Sequence, residues 1–194
     1  MGRLDGKVSI VTGSGTGIGR SGAMLFAKEG SKVVVADVDD KGGQETVDII
    51  NKNNNESVFI KTDMSKAADV ENLIKTTKNM FGKLDILWNN AAVAGECVYL
   101  ADYKEDVWDK LIDLDLKGVW LGMKYAIPQM IKNGGGSIVN SSSLVGTEGL
   151  NGFAGYAAAK GGVIALTRVA AADYVDPTIR ANWIVPNYIL TPMV

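Results

Sequence analysis

The chain has 194 residues, 46% of them hydrophobic, with 20 basic and 22 acidic side chains and a formal net charge of −2. That suffices for one globular domain with a full core, and it leaves no basic footprint for nucleic acid or an anionic membrane surface. Histidine is absent and Cys97 is the one cysteine, which excludes a Ser-His-Asp triad, an H-E-x-x-H site, a histidine-ligated zinc, an internal disulfide and a cysteine-rich metal site.

The N-terminus lacks a signal-peptide apolar core, and no apolar run approaches the ~18 residues of a membrane span. A soluble cytoplasmic protein is the expectation. Residues 8–12 read as a buried strand and 18–29 as a helix ended near Gly30. A second strand over 33–37 precedes a helix over 42–51. Residues 58–60 form a third strand, and 69–81 a helix with Val70, Leu73, Ile74 and Met80 among lysines. A fourth strand over 85–88 leads to one long helix over about 106–132, with Pro128 near its end. Three glycines, Gly134 to Gly136, break the chain before a fifth strand at 137–141. Residues 156–174 read as a helix rich in Ala and Val, and 179–185 as a sixth strand. Near-continuous apolar strands separated by helices predict an α/β fold, a doubly wound parallel sheet with helices on both faces. No linker or repeat divides it, so 1–194 reads as one dinucleotide-binding and catalytic domain.

Between the first strand and first helix lies Thr12-Gly13-Ser14-Gly15-Thr16-Gly17-Ile18-Gly19. Glycines there permit positive φ and close approach of backbone to a ligand. The helix start after them offers free N–H groups and the positive end of a dipole, which suits a pyrophosphate. The G-x-G-x-x-G spacing is not met, because Ile18 stands where its third glycine belongs. Position compensates for that. The loop follows a strand, opens a helix, and has Asp37 at the end of the next strand, where a carboxylate can bind a ribose 2′-hydroxyl and repel a 2′-phosphate.

Tyr156 and Lys160 stand at i and i+4 on the last helix and face the same side. A nearby ammonium favours phenolate over phenol and lowers the tyrosine pKa from about 10, so that Tyr156 can move a proton near neutral pH. The same spacing also occurs by chance on solvated helix faces. It is the rest of the chain that favours chemistry.

Together these residues resemble the short-chain dehydrogenase/reductase family over the whole chain. The family's T-G-x-x-x-G-I-G is met by Thr12, Gly13, Gly17, Ile18 and Gly19, with neutral Thr16 where NADP-preferring members often carry a cation. Asp37 matches its NAD-selecting acid, and Asp63, followed by Met64, its adenine-contacting acid. The N-N-A-G motif reads Asn89-Asn90-Ala91-Ala92, and P-G-x-[IV]-x-T reads Pro186-Asn187-Tyr188-Ile189-Leu190-Thr191. Ser143 precedes Tyr156 and Lys160 at the family's usual spacing. Asp115 fills the slot of the family's catalytic asparagine, and Ala92 and Asn187 replace glycines.

The resemblance implies an NAD-dependent oxidoreductase that interconverts a secondary alcohol and a ketone by hydride transfer. Tyr156 is the acid/base in that reading, Lys160 tunes it and holds the nicotinamide ribose, and Ser143 binds the reacting oxygen. The catalytic set is then Ser143, Tyr156, Lys160 and Asp115. The NAD-binding set is Gly13, Thr16, Gly17, Ile18, Gly19, Asp37, Asp63, Met64, Asn90, Ala91, Ala92, Tyr156, Lys160, Pro186, Ile189 and Thr191. Val93, Ala94, Val145, Phe153 and Tyr188 suggest an apolar pocket for a small hydrophobic or cyclic substrate. The resemblance further implies a homodimer or homotetramer. It also implies that the C-terminal part of the usual fold, with its lid and seventh strand, is missing, which predicts cofactor binding with poor turnover. A dinucleotide-binding protein of the same fold with little turnover is the alternative. A sugar-nucleotide epimerase or dehydratase is a third reading, disfavoured by the glycine spacing.

Overall fold

In a computed structural model, residues 2–175 and 178–191 are described. Six strands form one sheet in the order β3-β2-β1-β4-β5-β6: β1 (Val8–Thr12), β2 (Lys32–Asp37), β3 (Ser57–Lys61), β4 (Ile86–Asn89), β5 (Gly136–Ser141) and β6 (Ile179–Ile184). Every neighbouring pair is parallel. The chain winds outward from β1 to β3, then returns to place β4 on the other side of β1. The order therefore reverses between β1 and β4, and a crevice opens there at the carboxyl ends of the strands.

Alternation along the strands explains why both faces need helices. In β1, Ile10 enters one apolar cluster and Val11 the other; in β2, Val34 is split from Val33 and Val35 in the same way. One face is covered by α1 (Gly17–Lys28) and α2 (Asp40–Lys52) through Ala23, Ala27, Val47 and Ile50. The other is covered by α3 (Ala67–Phe81), α5 (Gly118–Lys132) and α7 (Ala154–Asp173) through Leu73, Ile74, Leu121, Met130 and Val163. All five residues of β1 are buried, and each Val or Ile so buried contributes about 1.5–3 kcal/mol before entropy is counted.

A polar tie crosses the apolar layer below the crevice. The Asn89 side-chain amide donates to Asn140 Oδ1 at 2.8 Å, and the Asn140 amide donates to Thr167 Oγ1 at 2.9 Å. All three are buried, so β4, β5 and α7 are held in one register by bonds that are costly to leave unmade.

The helix expected over 106–132 is not uniform. It consists of α4 (Glu105–Leu111), a π-helical turn over Ile112–Lys117, and α5. The periodicity shows no break there, because a π turn inserts a residue without a proline or glycine signal. Pro128 lies inside α5 without ending it. A short helix, α6 (Leu144–Glu148), was not expected; Ser143 caps it, accepting a hydrogen bond from the Val145 N–H at 3.3 Å. Asp39 starts α2 ahead of its expected position by accepting from the Lys41 N–H at 3.1 Å.

Candidate active site

The loop after β1 is shaped by close backbone approaches. Gly13 has φ +63°, and a Cβ there would lie 2.7 Å from Ala91 Cα; a Cβ on Gly19 would strike the Gly13 carbonyl. Thr16 at the N-cap of α1 makes no side-chain cap, and no acidic residue sits in the first turn. The helix start thus keeps its N–H groups and positive dipole end for a ligand.

Asp37, at the end of β2, fixes the other side of this loop. Its Oδ2 accepts from the Gly15 N–H at 2.7 Å and its Oδ1 from the Asp39 N–H at 3.0 Å. Two nearby cations, Arg20 and Lys61, are committed elsewhere. Arg20 donates to the carbonyls of Gly15 and Gly42, to Thr46 Oγ1 and to Glu45, and Lys61 pairs with Asp40.

Asn90 and Ala91 are locked to β1 by Thr12. The Thr12 hydroxyl accepts from the Asn90 N–H at 2.9 Å and the Ala91 N–H at 3.0 Å, while the Asn90 amide donates to the Thr12 carbonyl at 3.1 Å. From β5, the Ser141 hydroxyl donates to Asn90 Oδ1 at 3.3 Å. Three neighbouring strand ends are stitched together this way.

Ser143, Tyr156 and Lys160 converge beyond β5. Lys160 Nζ lies 5.5 Å from the Tyr156 ring centroid and donates to the Ser141 carbonyl at 3.1 Å. Asp115, carried by the π turn, is 0% exposed; its Oδ2 lies 3.5 Å from Lys160 Nζ and its Oδ1 accepts from the Val93 N–H at 3.0 Å.

One continuous cavity of about 720 Å³ joins these features. Gly13, Thr16, Gly17, Ile18, Gly19 and Asp37 line it, as do Asp63, Met64, Asn90, Ala91 and Ala92, then Ser143, Tyr156, Lys160, Pro186, Ile189 and Thr191. The apolar residues Val93, Ala94, Val145, Phe153 and Tyr188 line it too. It brings an anion-suited helix end into one space with a phenol, an ammonium and a hydroxyl.

The model of the short chain dehydrogenase family matches residues 7–194. The chain belongs to that family. It is 36% identical over 192 residues to a cyclohexanol dehydrogenase of Acinetobacter sp. strain SE19, a match spanning 99% of this chain and 76% of the relative. A levodione reductase crystal structure superposes with a TM-score of 0.97 at 35% identity, covering 99% of this chain and 75% of that one. A carveol dehydrogenase from Mycobacterium avium, in complex with NAD, gives a TM-score of 0.97 at 31% identity, covering 100% and 75%.

Within this short-chain dehydrogenase, two sequence expectations are corrected. Asp115 does not line the cavity; it stands behind Lys160 and reaches the site only through that residue and the Val93 backbone. The expected lowering of the Tyr156 pKa is also not found. Burial pushes the phenol above its ordinary value, the Ser143 hydroxyl pulls it back, and the Asp115 carboxylate adds to the rise. Burial is the main cause, and Asp115, which pairs with Lys160, adds to it. Burial lowers the Lys160 ammonium and Asp115 opposes it; burial likewise raises the Asp115 carboxyl against the pull of Lys160. At Asp63, burial raises the carboxyl, but bonds from the Ser65 hydroxyl (2.6 Å), the Ser65 N–H and Lys66 outweigh it and hold it below the usual range.

Sequence reasoning missed several lining residues. Val38 and Thr62 adjoin Asp37 and Asp63, so adjacency to a strand-end acid was the available signal. Leu114, Cys97, Glu148 and Leu150 also line the cavity. The last three sit on connections or on short α6, where no periodicity announces a site. Cys97, read from sequence as an ordinary small side chain, is exposed there.

Proposed function

We propose that this short-chain dehydrogenase is an NAD-dependent oxidoreductase that interconverts a small cyclic or hydrophobic secondary alcohol and its ketone, with Tyr156 as the acid/base. One observation carries the reading: Ser143, Tyr156 and Lys160 share a single cavity with an uncapped glycine-rich helix start and Asp37. The bare backbone at Gly13 and Gly19, where a side chain would collide, fits a dinucleotide pyrophosphate. Asp37 and neutral Thr16, with Arg20 and Lys61 already paired, favour a ribose diol over a 2′-phosphate. Relatives named for cyclohexanol and carveol, the latter solved with NAD, agree with this reading.

A bound nicotinamide supplies the hydride acceptor for oxidation and the donor for reduction. The protein's own residues position the substrate and move the proton. The Tyr156 oxygen takes the hydroxyl proton of an alcohol, or gives one to a ketone oxygen. Ser143 hydrogen-bonds that same oxygen and orients it. Lys160 holds the ribose hydroxyls while its other hydrogen bond anchors it to Ser141. Val93, Val145 and Phe153 exclude water and seat the apolar part of the substrate. A homodimer or homotetramer, as the family resemblance implies, is part of the same proposal.

A second reading is a dinucleotide-binding protein with little turnover, favoured by one observation: Lys160 is engaged by Asp115. NADH formation followed against a panel of cyclic secondary alcohols separates the two. Steady turnover with at least one alcohol is expected. Tight NADH binding with no turnover across the panel would support the second reading.

A further inference from the structure

Asp115 is a wholly buried acid among the described residues, and Lys160, 1% exposed, is the other buried charge beside it. The remaining ion pairs among the described residues join side chains that are at least partly exposed. Among the described residues Asp115 Oδ2 has no hydrogen-bond donor, and it faces Lys160 Nζ at 3.5 Å. Asp115 Oδ1 accepts the Val93 N–H, so the carboxylate cannot turn away without breaking a half-buried hydrogen bond. The π turn over Ile112–Lys117 is what brings it to this place.

We propose that Asp115 is a positioning residue that acts through Lys160: it supplies the counter-charge that keeps the buried Lys160 amine protonated under working conditions, and it couples that charge to the substrate wall at Val93. The inference rests on the acid/base reading given above. A buried ammonium with only one carbonyl partner tends to lose its proton, because burial disfavours the charged form; a carboxylate at 3.5 Å opposes that loss. Without Asp115 the amine would discharge at a lower pH, and the cofactor ribose and Tyr156 would face a neutral group.

Few other charges reach this pair. Tyr156 on α7 is its titratable neighbour, and Ser143 adds an uncharged hydroxyl. Tyr103, ahead of α4, is half-buried with Glu96 beyond it. Asp113 and Lys117, at the ends of the π turn, pair with each other at 2.8 Å near the surface. On α4, Lys110 pairs with Asp106 and both are exposed, as are Glu105 and Asp109. On α5, Lys124 lies over the Trp120 and Tyr125 rings, and Glu148 on α6 is exposed. Arg168, further along α7, lies against the Trp183 ring of β6. The charge balance at Lys160 is therefore set by Asp115.

The test is the pH profile of kcat/KM for oxidation of a cyclic alcohol by the wild type and Asp115→Asn, from pH 6 to 11. The variant keeps the side chain's shape and removes its charge. Its alkaline limb is expected to move to lower pH by at least about one unit, a tenfold loss of proton affinity at Lys160. An alkaline limb that stays in place, whatever the change in absolute rate, overturns the proposal. A purely structural role would lower the rate without moving the limb.

A second comparison requires no turnover and holds even if the oxidoreductase reading fails. Lys160→Met leaves Asp115 buried without its cation, so its melting temperature should fall, and adding Asp115→Asn to that variant should restore part of the loss. Strictly additive losses in the double variant would show that the two side chains do not act as a charge pair, and would sink the inference independently of any activity.

Discussion

Cofactor choice gives the most quantitative prediction, because the geometry around Asp37 is tightly defined. Both carboxylate oxygens are held, by the Gly15 and Asp39 N–H groups, so the side chain cannot swing away from a ribose laid along the cavity. A 2′-phosphate carries about 1.5–2 negative charges at pH 7. Each unit charge at ~4 Å costs about 1 kcal/mol at a water-like dielectric, for roughly 2 kcal/mol of repulsion at this half-exposed site. The phosphate also forfeits the hydrogen bond between a ribose hydroxyl and a charged acceptor, worth about 1.5–3 kcal/mol. The sum, roughly 3.5–5 kcal/mol, corresponds to NADH binding on the order of 300- to 4,000-fold tighter than NADPH. Fluorescence titration of both reduced cofactors at fixed salt measures the ratio. Asp37→Asn should cut it by about 30-fold, chiefly by improving NADPH, since the roughly 2 kcal/mol charge term disappears. Equal or tighter NADPH affinity in the wild type would refute the reasoning, as would an Asp37→Asn variant with an unchanged ratio.

Other outcomes follow from the site's bonds. Ser143 holds the Tyr156 pKa down against burial, so Ser143→Ala should raise it. Oxidation requires the phenolate, so the acid limb of kcat/KM for alcohol oxidation should move to higher pH in that variant; a limb that moves down or stays put contradicts the assignment. Thr12→Val keeps the shape but leaves the Asn90 and Ala91 N–H groups without their acceptor, a loss of roughly 2–4 kcal/mol readable by urea denaturation. Gly19→Ala places a methyl against the Gly13 carbonyl and should cost about 1–3 kcal/mol of stability together with most NADH affinity; a variant binding NADH like the wild type would show that the loop does not form the cradle.

The parallel sheet was legible in the sequence because β1 and β2 are apolar on both faces, and such runs suit only strands covered twice. The loop over residues 12–19 and Asp37 were legible for a different reason: glycines and a strand-end acid have few other uses at that spacing. That Tyr156 and Lys160 share a face follows from helical periodicity, but their chemistry was legible only from the motifs elsewhere in the chain. Asp115 could be picked by its slot but not understood, since its burial depends on a π turn that no residue pattern marks. The Tyr156 pKa was misread because an i, i+4 lysine says nothing about how deeply the phenol is buried, nor about the carboxylate that a distant segment brings beside the lysine. Cys97, Glu148 and Leu150 were invisible because connections meet at the cavity only after the sheet has assembled.

In the proposed reaction, Tyr156 moves the proton of an NAD-linked oxidation. NADH formation from cyclohexanol and related cyclic alcohols, measured side by side for the wild type and Tyr156→Phe, tests it most directly. Tyr156→Phe keeps the ring beneath Lys160 and removes only the titrating hydroxyl. Turnover is expected to fall by ~10²–10⁴, while the NADH dissociation constant changes by no more than about twofold. A Tyr156→Phe protein that keeps most of the wild-type rate on its best substrate contradicts the claim.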